Sequence, residues 1–355
     1  MGHLKQLRDQ FDAFGIDGLL ITKAENRRYL TRFTGTAGVV LITKSEAAFL
    51  TDFRYARQAQ NQVEGYEVNI HRQSQSLLDN VVEHIQNMNI TRLGFEAEDV
   101  HYNLYSALAE KAKVKLVPTN KAVEKLRMIK TKEEIRLLKK AAEIGDAAFE
   151  FIQEFIRPGV RELDVGHELE YFMRKNGATS NSSKLIVASG YRGSFPHGVA
   201  SEKVIEQGEM VTLDYGALYQ GYRSDMTRTL ALGEPHPELK KIYKVVYEAL
   251  QNSLDVIKPG MFSNEVDAVV RDYISEKGYG EYFGHGAGHG IGLEIHEDPF
   301  FSKTTNVEMK PGMVVTIEPG IYIPDLGGVR IEDDVVITED GCDILTLSTK
   351  ELVTV

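Results

Sequence analysis

A chain of 355 residues is long for one average hydrophobic core, so two domains are expected. Its 42% hydrophobic and 26% charged content is that of an ordinary globular protein, and no apolar run is long enough to span a membrane. A net charge of −11, with no Lys/Arg run, disfavours a nucleic-acid partner.

The charged first dozen residues lack the apolar stretch and small-residue cleavage site of a signal peptide. Cys342 is the only cysteine, so no intrachain disulfide can form. Both features fit a reducing cytoplasm. Residues 1–122 read as a small α/β domain. "HLKQLRDQFDAF" spaces Leu4, Leu7, Phe11 and Phe14 as a helix does. "DGLLIT", "AGVVLIT", "AAFLTD" and "RLGFEA" have the short apolar runs of buried strands. "VPTNKAVEKLRMIK" reads as a connection, broken by Pro118 and Asn120. The second domain is expected over 123–355.

From Thr131 the texture changes. Thr131 and Glu134 have capping-box spacing, and Ile135, Leu138, Ala142, Phe149, Ile152 and Phe155 form a helical stripe that Pro158-Gly159 stops. A second helix, "RELDVGHELEYFMRKNG", ends at Gly177. The order recurs further on. "LKKIYKVVYEALQNSLDVIKPG" is stopped by Pro259-Gly260, and "SNEVDAVVRDYISEKG" ends at Gly278. An apolar strand holding an acid follows each pair, "EMVTLDYGA" and then "GMVVTIEPG". Helix pairs over a sheet, twice, suggest an α+β domain with a pseudo-twofold axis.

Folding the first strand back around Tyr219-Gln220 sets Asp214 opposite Asp225. Glu318 and Glu332 occupy the two arms of a second hairpin, across a longer turn through 324–328. Opposed residues share a face, and like charges there are destabilising. An isolated acid on a strand is ordinarily exposed. Here Asp214 follows Met210, Val211 and Leu213, and Glu318 follows Met313, Val314, Val315 and Ile317, which is the setting of buried strands. Buried carboxylates need a positive centre. No Lys/Arg cluster is spaced to supply one, although Arg330 is near, and divalent cations would. The stretch "GHGAGHGIGLEIHE" spends three of the ten histidines in fourteen positions. Its glycines oppose a helix, so it reads as extended or looped backbone that approaches something closely. Four carboxylates and one imidazole suit two divalent cations with a hydroxide between them as nucleophile. Oxygen-rich ligation favours Mn²⁺ or Co²⁺, with Zn²⁺ still open. The glycines would let the ligand histidine lie tightly against the metals.

These stretches resemble the proline-specific metallopeptidases of the pita-bread group, namely Xaa-Pro dipeptidases (prolidases) and aminopeptidase P, along essentially the whole chain. "LDYGALYQGYRSDMTRT", "GHGAGHGIGLEIHE", "TIEPGIYIP", "GVRIEDDVVIT" and "VASGYRGSFPHG" carry the resemblance. "NRRYLTRFTGTAG", "TDFRYARQA" and "LRMIKTKEEI" extend it to the first domain and the junction. The resemblance implies a creatinase-like α/β N-terminal domain and a pita-bread catalytic domain. It implies metal ligands at Asp214, Asp225, His289, Glu318 and Glu332, with Asp225 and Glu332 bridging two metal ions. It also implies roles around the reaction for His197, His285 and His296. Glu318 matches a proton acceptor, and Arg330 matches an arginine that steadies a carboxylate or the substrate.

The expected activity is hydrolysis of the Xaa-Pro bond, of dipeptides foremost. Removal of the N-terminal residue from longer peptides is the alternative, and a homodimer is the family expectation. Creatinase-like members that work without metals are disfavoured by the full set of acids and histidines. So is a non-catalytic binding protein on the same fold, the alternative of another class. The loop "FFSKTTNVEMKPG" lacks an arginine that some prolidases use for the dipeptide carboxylate, and Lys303 is the substitute nearest in sequence. Phe195 and Tyr322 are aromatic candidates for a proline pocket.

Overall fold

The computed structural model describes residues 2–71 and 74–355. The chain divides into two compact units, Met1–Arg127 and Met128–Val355.

In the first unit a six-stranded mixed sheet runs in the order β4-β3-β2-β1-β5-β6. The strands are β1 (Gly18–Ile21), β2 (Val39–Thr43), β3 (Ala47–Thr51), β4 (Glu67–Ile70), β5 (Arg92–Glu96) and β6 (Lys115–Thr119). β1, β2, β3 and β5 are the four apolar runs, and their residues are nearly all buried. β4 and β6 are edge strands of mixed polarity, which apolar periodicity does not reveal. Pro118 therefore sits inside β6 and not in a connection. An edge strand tolerates proline because no neighbour needs the missing N–H. The N-terminal stripe is helical in two pieces, Gly2–Arg8 and Phe11–Phe14, with Leu7 and Phe11 fully buried.

The second unit repeats one plan. Helix Lys132–Phe155 begins with the capping box of Thr131 and Glu134 and buries Leu138, Ala142, Phe149 and Ile152. Helix Glu162–Lys175 follows and is ended by Gly177 at φ 106. Short β7 (Ser180–Asn181) precedes β8 (Ile186–Ser189), β9 (Met210–Tyr215), the small hairpin β10 (Ala217–Tyr219) and β11 (Tyr222–Arg223), and β12 (Met226–Ala231). The second round has helices Pro237–Val256 and Ser263–Glu276. Its strands are β13 (Gly288–Gly290), β14 (Glu297–Phe301), β15 (Val314–Ile317), the hairpin β16 (Gly320–Ile323) and β17 (Gly327–Arg330), β18 (Asp333–Ile337) and β19 (Cys342–Ile344). The sheets are ordered β12-β9-β8 and β14-β13-β15-β18-β19. β8, β9 and β12 thus correspond to β13, β15 and β18, and each set has a small hairpin between its last two strands. Each half has its own apolar core between helix pair and sheet. One is built on Phe149, Leu169, Leu213 and Tyr215, the other on Val246, Val270, Val315 and Val335.

The first hairpin differs from the sequence expectation by two residues. β9 pairs with β12 so that Asp214 faces Thr227, not Asp225. The turn is Gln220-Gly221, at φ 47 and φ 88, because a two-residue hairpin turn of this kind needs two positive φ angles. A shift of two preserves the side-chain face, so Asp225 still projects with Asp214, one step along the ladder. In the second hairpin the register pairing Ile317 with Asp333 and Gly320 with Arg330 sets Glu318 opposite Glu332, as expected.

Gly216 holds the first hairpin's crossover. A Cβ there would lie 1.8 Å from the Ser224 carbonyl oxygen. Gly216→Ala is therefore expected to cost on the order of 2–4 kcal/mol, read as a lowered denaturation midpoint. The displaced Ser224 should carry Asp225 with it, so metal uptake should fall in the same variant.

Candidate metal centre

One cleft of about 1280 Å³ is lined by the five expected metal ligands, Asp214, Asp225, His289, Glu318 and Glu332, and by His197, His285, His296 and Arg330. β9 delivers Asp214 near its end. The residue before β12 is Asp225, the residue after β15 is Glu318, and the residue before β18 is Glu332. Strands buried on both faces end here, so their terminal acids are drawn in behind them. Asp225 and Glu332 are buried at 6% and 2% exposure, as is His289 at 6%.

His289 lies on β13, which pairs with β14 on one side and β15 on the other. The glycines around it serve those neighbours and not the metals. A Cβ at Gly288 would meet the Thr316 carbonyl oxygen at 2.0 Å, one at Gly286 the Phe301 oxygen at 2.3 Å, and one at Gly290 the Asp298 oxygen at 2.3 Å. The main chain of β13 is fixed by the His289 N–H, which donates to Thr316 Oγ1 at 3.1 Å. The Nδ1 of His289 lies 3.0 Å from the Gly290 carbonyl. A carbonyl only accepts, so the proton is on Nδ1 and the lone pair is on Nε2. Burial lowers the pKa of this ring to about 4, which keeps it neutral. The bare Nε2 faces Glu318 Oε1 at 3.5 Å and Asp225 Oδ2 at 3.9 Å. Ligand atoms of Asp225, His289 and Glu332 lie within 4.8 Å of one another.

Asp225 Oδ1 is buried without a hydrogen-bond partner. Burial, reinforced by neighbouring carboxylates, pushes the Asp225 and Glu332 carboxyls well above their usual range. Burial likewise pushes Glu318 up to about 7, although Arg330 pulls against it. Lone pairs converging on a shared point, with an orphaned oxygen, fit a divalent cation. Asp214, Asp225, His289, Glu318 and Glu332 are the side chains that could hold it.

Arg330 is buried and its guanidinium makes four hydrogen bonds. It donates to Asp214 Oδ2, to Thr227 Oγ1 at 3.1 Å, to the Tyr322 hydroxyl at 2.9 Å and to the Pro196 carbonyl at 3.0 Å. Tyr322 in turn donates to His285 Nε2 at 2.8 Å, because His285 Nδ1 must donate to the Gly286 carbonyl, also at 2.8 Å. Tyr322 is therefore a buried link between Arg330 and His285, and it does not line the cleft. Phe195 does line it and is half exposed. His296 is exposed and stands edge-on to the His289 ring at 4.4 Å. His197 is exposed at the mouth. Lys303 is exposed on the loop after β14 and is not among the cleft-lining residues.

Three supporting residues escaped the sequence reading. Thr227 Oγ1 donates to Glu332 Oε2 at 2.6 Å, Thr316 holds the His289 main chain, and Asp334 Oδ2 accepts the Asp225 N–H at 2.8 Å. Thr227 is two residues past Asp225, and Thr316 is two before Glu318. Strand period alone would have placed both on the ligand face. Glu297, the second glutamate of the glycine stretch, faces Lys130 at 3.2 Å in a buried ion pair.

Strand-held carboxylates with a bare imidazole nitrogen, at a cleft of peptide dimensions, define a metal-dependent hydrolase site. Residues 136–339 match the model of metallopeptidase family M24, and residues 3–129 match the creatinase/prolidase N-terminal domain. The chain belongs to metallopeptidase family M24, and its fold comprises a creatinase-type α/β domain followed in sequence by a pita-bread catalytic domain. It is 39% identical to the Xaa-Pro dipeptidase of Pyrococcus horikoshii over 351 residues, covering 99% of this chain and 98% of that one. It is 52% identical to an uncharacterised peptidase of Bacillus subtilis, covering 99% of each. Among solved structures it resembles an Xaa-Pro dipeptidase from Bacillus anthracis, at TM-score 0.98 and 55% identity over 100% of this chain and 99% of that one.

The unrelieved carboxylates carry a stability cost in the metal-free protein. Asp225→Asn and Glu332→Gln should therefore each raise the thermal midpoint of chelator-treated protein, by roughly 2–5 °C. The same variants should gain less than the native chain when a divalent cation is added, in parallel calorimetric scans.

Proposed function

We propose that this protein is a metal-dependent Xaa-Pro dipeptidase. The observation that carries the reading is the bare His289 Nε2 facing Glu318 and the buried Asp225, whose Oδ1 has no hydrogen-bond partner, inside a peptide-sized cleft. Relatives named Xaa-Pro dipeptidase, alike over nearly the full chain, support the substrate class. We assign Asp214, Asp225, His289, Glu318 and Glu332 as the residues that would hold two divalent ions, with Asp225 and Glu332 as the carboxylates that would be shared between them. The oxygen-rich set favours Mn²⁺. The metals, when bound, supply an activated water and polarise the scissile carbonyl.

The remaining steps fall to the chain's own groups. Glu318 accepts the proton of the attacking water and passes it to the leaving proline nitrogen. The proline nitrogen, like any amide leaving group, must gain a proton to depart as the amine. His296, edge-on to His289 and exposed in the cleft, supplies the hydrogen bond to the developing oxyanion. His285 has both ring nitrogens engaged, by the Gly286 carbonyl and the Tyr322 hydroxyl, and acts by holding the cleft wall in place. His197 at the mouth contacts the incoming peptide. Arg330 holds Asp214 and, through Tyr322, His285. We further propose that catalysis resides in the domain from about residue 123 onward, and that the protein is a cytoplasmic homodimer. Among the described residues, no helix is long and apolar enough to cross a membrane.

Chelation should abolish hydrolysis of an Xaa-Pro dipeptide, and Mn²⁺ or Co²⁺ should restore it. Full activity after metal removal verified by elemental analysis would refute the mechanism. A matched tripeptide cut with far higher kcat/KM than the dipeptide would make aminopeptidase P the better assignment.

His289→Ala should lose metal. His285→Ala and His296→Ala should keep it and lose rate, on the order of 10²-fold. Metal analysis beside kcat separates the two classes, and a reversed pattern would move the ligand to His285.

A further inference from the structure

Lys184 occupies a place that no part of the mechanism uses. It lies two residues before β8, whose first residue, Ile186, pairs directly with Asp214. Paired residues project to one face, so Ile186 stands on the Asp214 side of the sheet. Both Ile186 and Lys184 line the cleft together with Asp214, His197 and Glu318. Only two of the cleft's lining residues carry a permanent positive charge, Lys184 and Arg330. Arg330 is buried and hydrogen-bonded to Asp214, Thr227, Tyr322 and Pro196. Lys184 is exposed.

A dipeptide brings a charge that a longer peptide does not. Its terminal carboxylate is on the leaving proline, within about one Cα step (~3.8 Å) of the scissile bond. In a tripeptide that position is a neutral carbonyl. Four carboxylates line the same cleft, so a substrate carboxylate beside them needs a cation of its own. We propose that Lys184 reads the C-terminal carboxylate of the substrate and so sets the preference for dipeptides. This rests on the Xaa-Pro reading above. An ammonium on a flexible stem acts as a point charge without the planar fork of an arginine. The preference it confers is therefore graded, and longer peptides with proline second are still admitted.

The test compares an Xaa-Pro dipeptide with its C-terminal amide, which differs only in that charge. Mn²⁺-loaded native protein and the variants Lys184→Met, Lys184→Arg and Lys184→Glu are assayed. Calorimetric binding of N-acetylproline and N-acetylprolinamide gives a readout independent of turnover. The native protein should favour the acid over the amide. Lys184→Met should raise KM for the dipeptide relative to the amide about tenfold or more, with kcat little moved. Lys184→Glu should go further, and Lys184→Arg should retain the native ratio. Lys303→Ala, outside the cleft, should match the native protein. If Lys184→Met and Lys184→Glu leave the acid-to-amide ratio at its native value while the dipeptide is cleaved, Lys184 is not the reader, although the peptidase reading stands. An equal loss for acid and amide in Lys184→Met overturns the proposal too. If the native protein cleaves no Xaa-Pro bond, the reading itself has failed, and the proposal with it.

Discussion

Four carboxylates gathered at the ends of buried strands are the constraint on which the catalytic unit turns. Each is brought in by apolar sequence behind it, so none can retreat to water without unpacking a strand. Arg330 compensates Asp214, Thr227 gives Glu332 one hydrogen bond, and Asp225 is left with an oxygen that has no partner. An unpaired buried charge costs several kcal/mol. The fold meets that cost from two apolar cores, one behind each hairpin. What the chain keeps in return is a preformed demand for cations, held rigid before any metal arrives.

The pseudo-twofold plan explains why the acids come in matched pairs. Each half places one acid at the end of its middle strand and another just before the last strand. The small hairpins between those strands fix the separation. The symmetry stops at the flanking strands. β13 brings His289 to the acids, whereas β8, its counterpart, brings no ligand and is led by Lys184. A symmetric nest can seat two like ions, but cleavage at one end of a peptide needs a direction. The unlike flanking strands supply it, with an imidazole on one side and a cation facing the substrate on the other.

Much of this was legible in the residues, for identifiable reasons. The helix pairs were legible because capping boxes, apolar stripes and Pro-Gly stops are local signals. The acids stood out because they interrupt runs of Val, Leu and Ile. The hairpin turn was misplaced because Gln220 takes a positive φ, which glutamine rarely does, while Gly221 beside it was the real signal. The error did not reach the site, because strand period made a two-residue slip harmless to the face. The edge strands β4 and β6 were missed because their burial is partial and their sequences mixed. Lys303 stands out in the sequence because it lies on the loop after His296. Lys184, more than a hundred residues earlier, reaches the cleft through the pairing of β8 with β9, which periodicity does not disclose.

The glycine-rich stretch shows why the bare histidine nitrogen is available at all. Gly286, Gly288 and Gly290 have carbonyls of neighbouring segments where a Cβ would stand, so β13 is pressed between β14 and β15. That pressing turns the carbonyls of Gly286 and Gly290 back onto the Nδ1 atoms of His285 and His289. Each carbonyl claims a proton on Nδ1 and thereby frees Nε2. For His289 the freed atom faces carboxylates, and for His285 it faces the Tyr322 hydroxyl. Two chemically identical side chains four residues apart thus present their lone pairs to different partners. A larger residue at Gly286 or Gly290 would act on the tautomers first, by moving the carbonyl that holds each ring. The glycines contribute to the chemistry by fixing where the protons are.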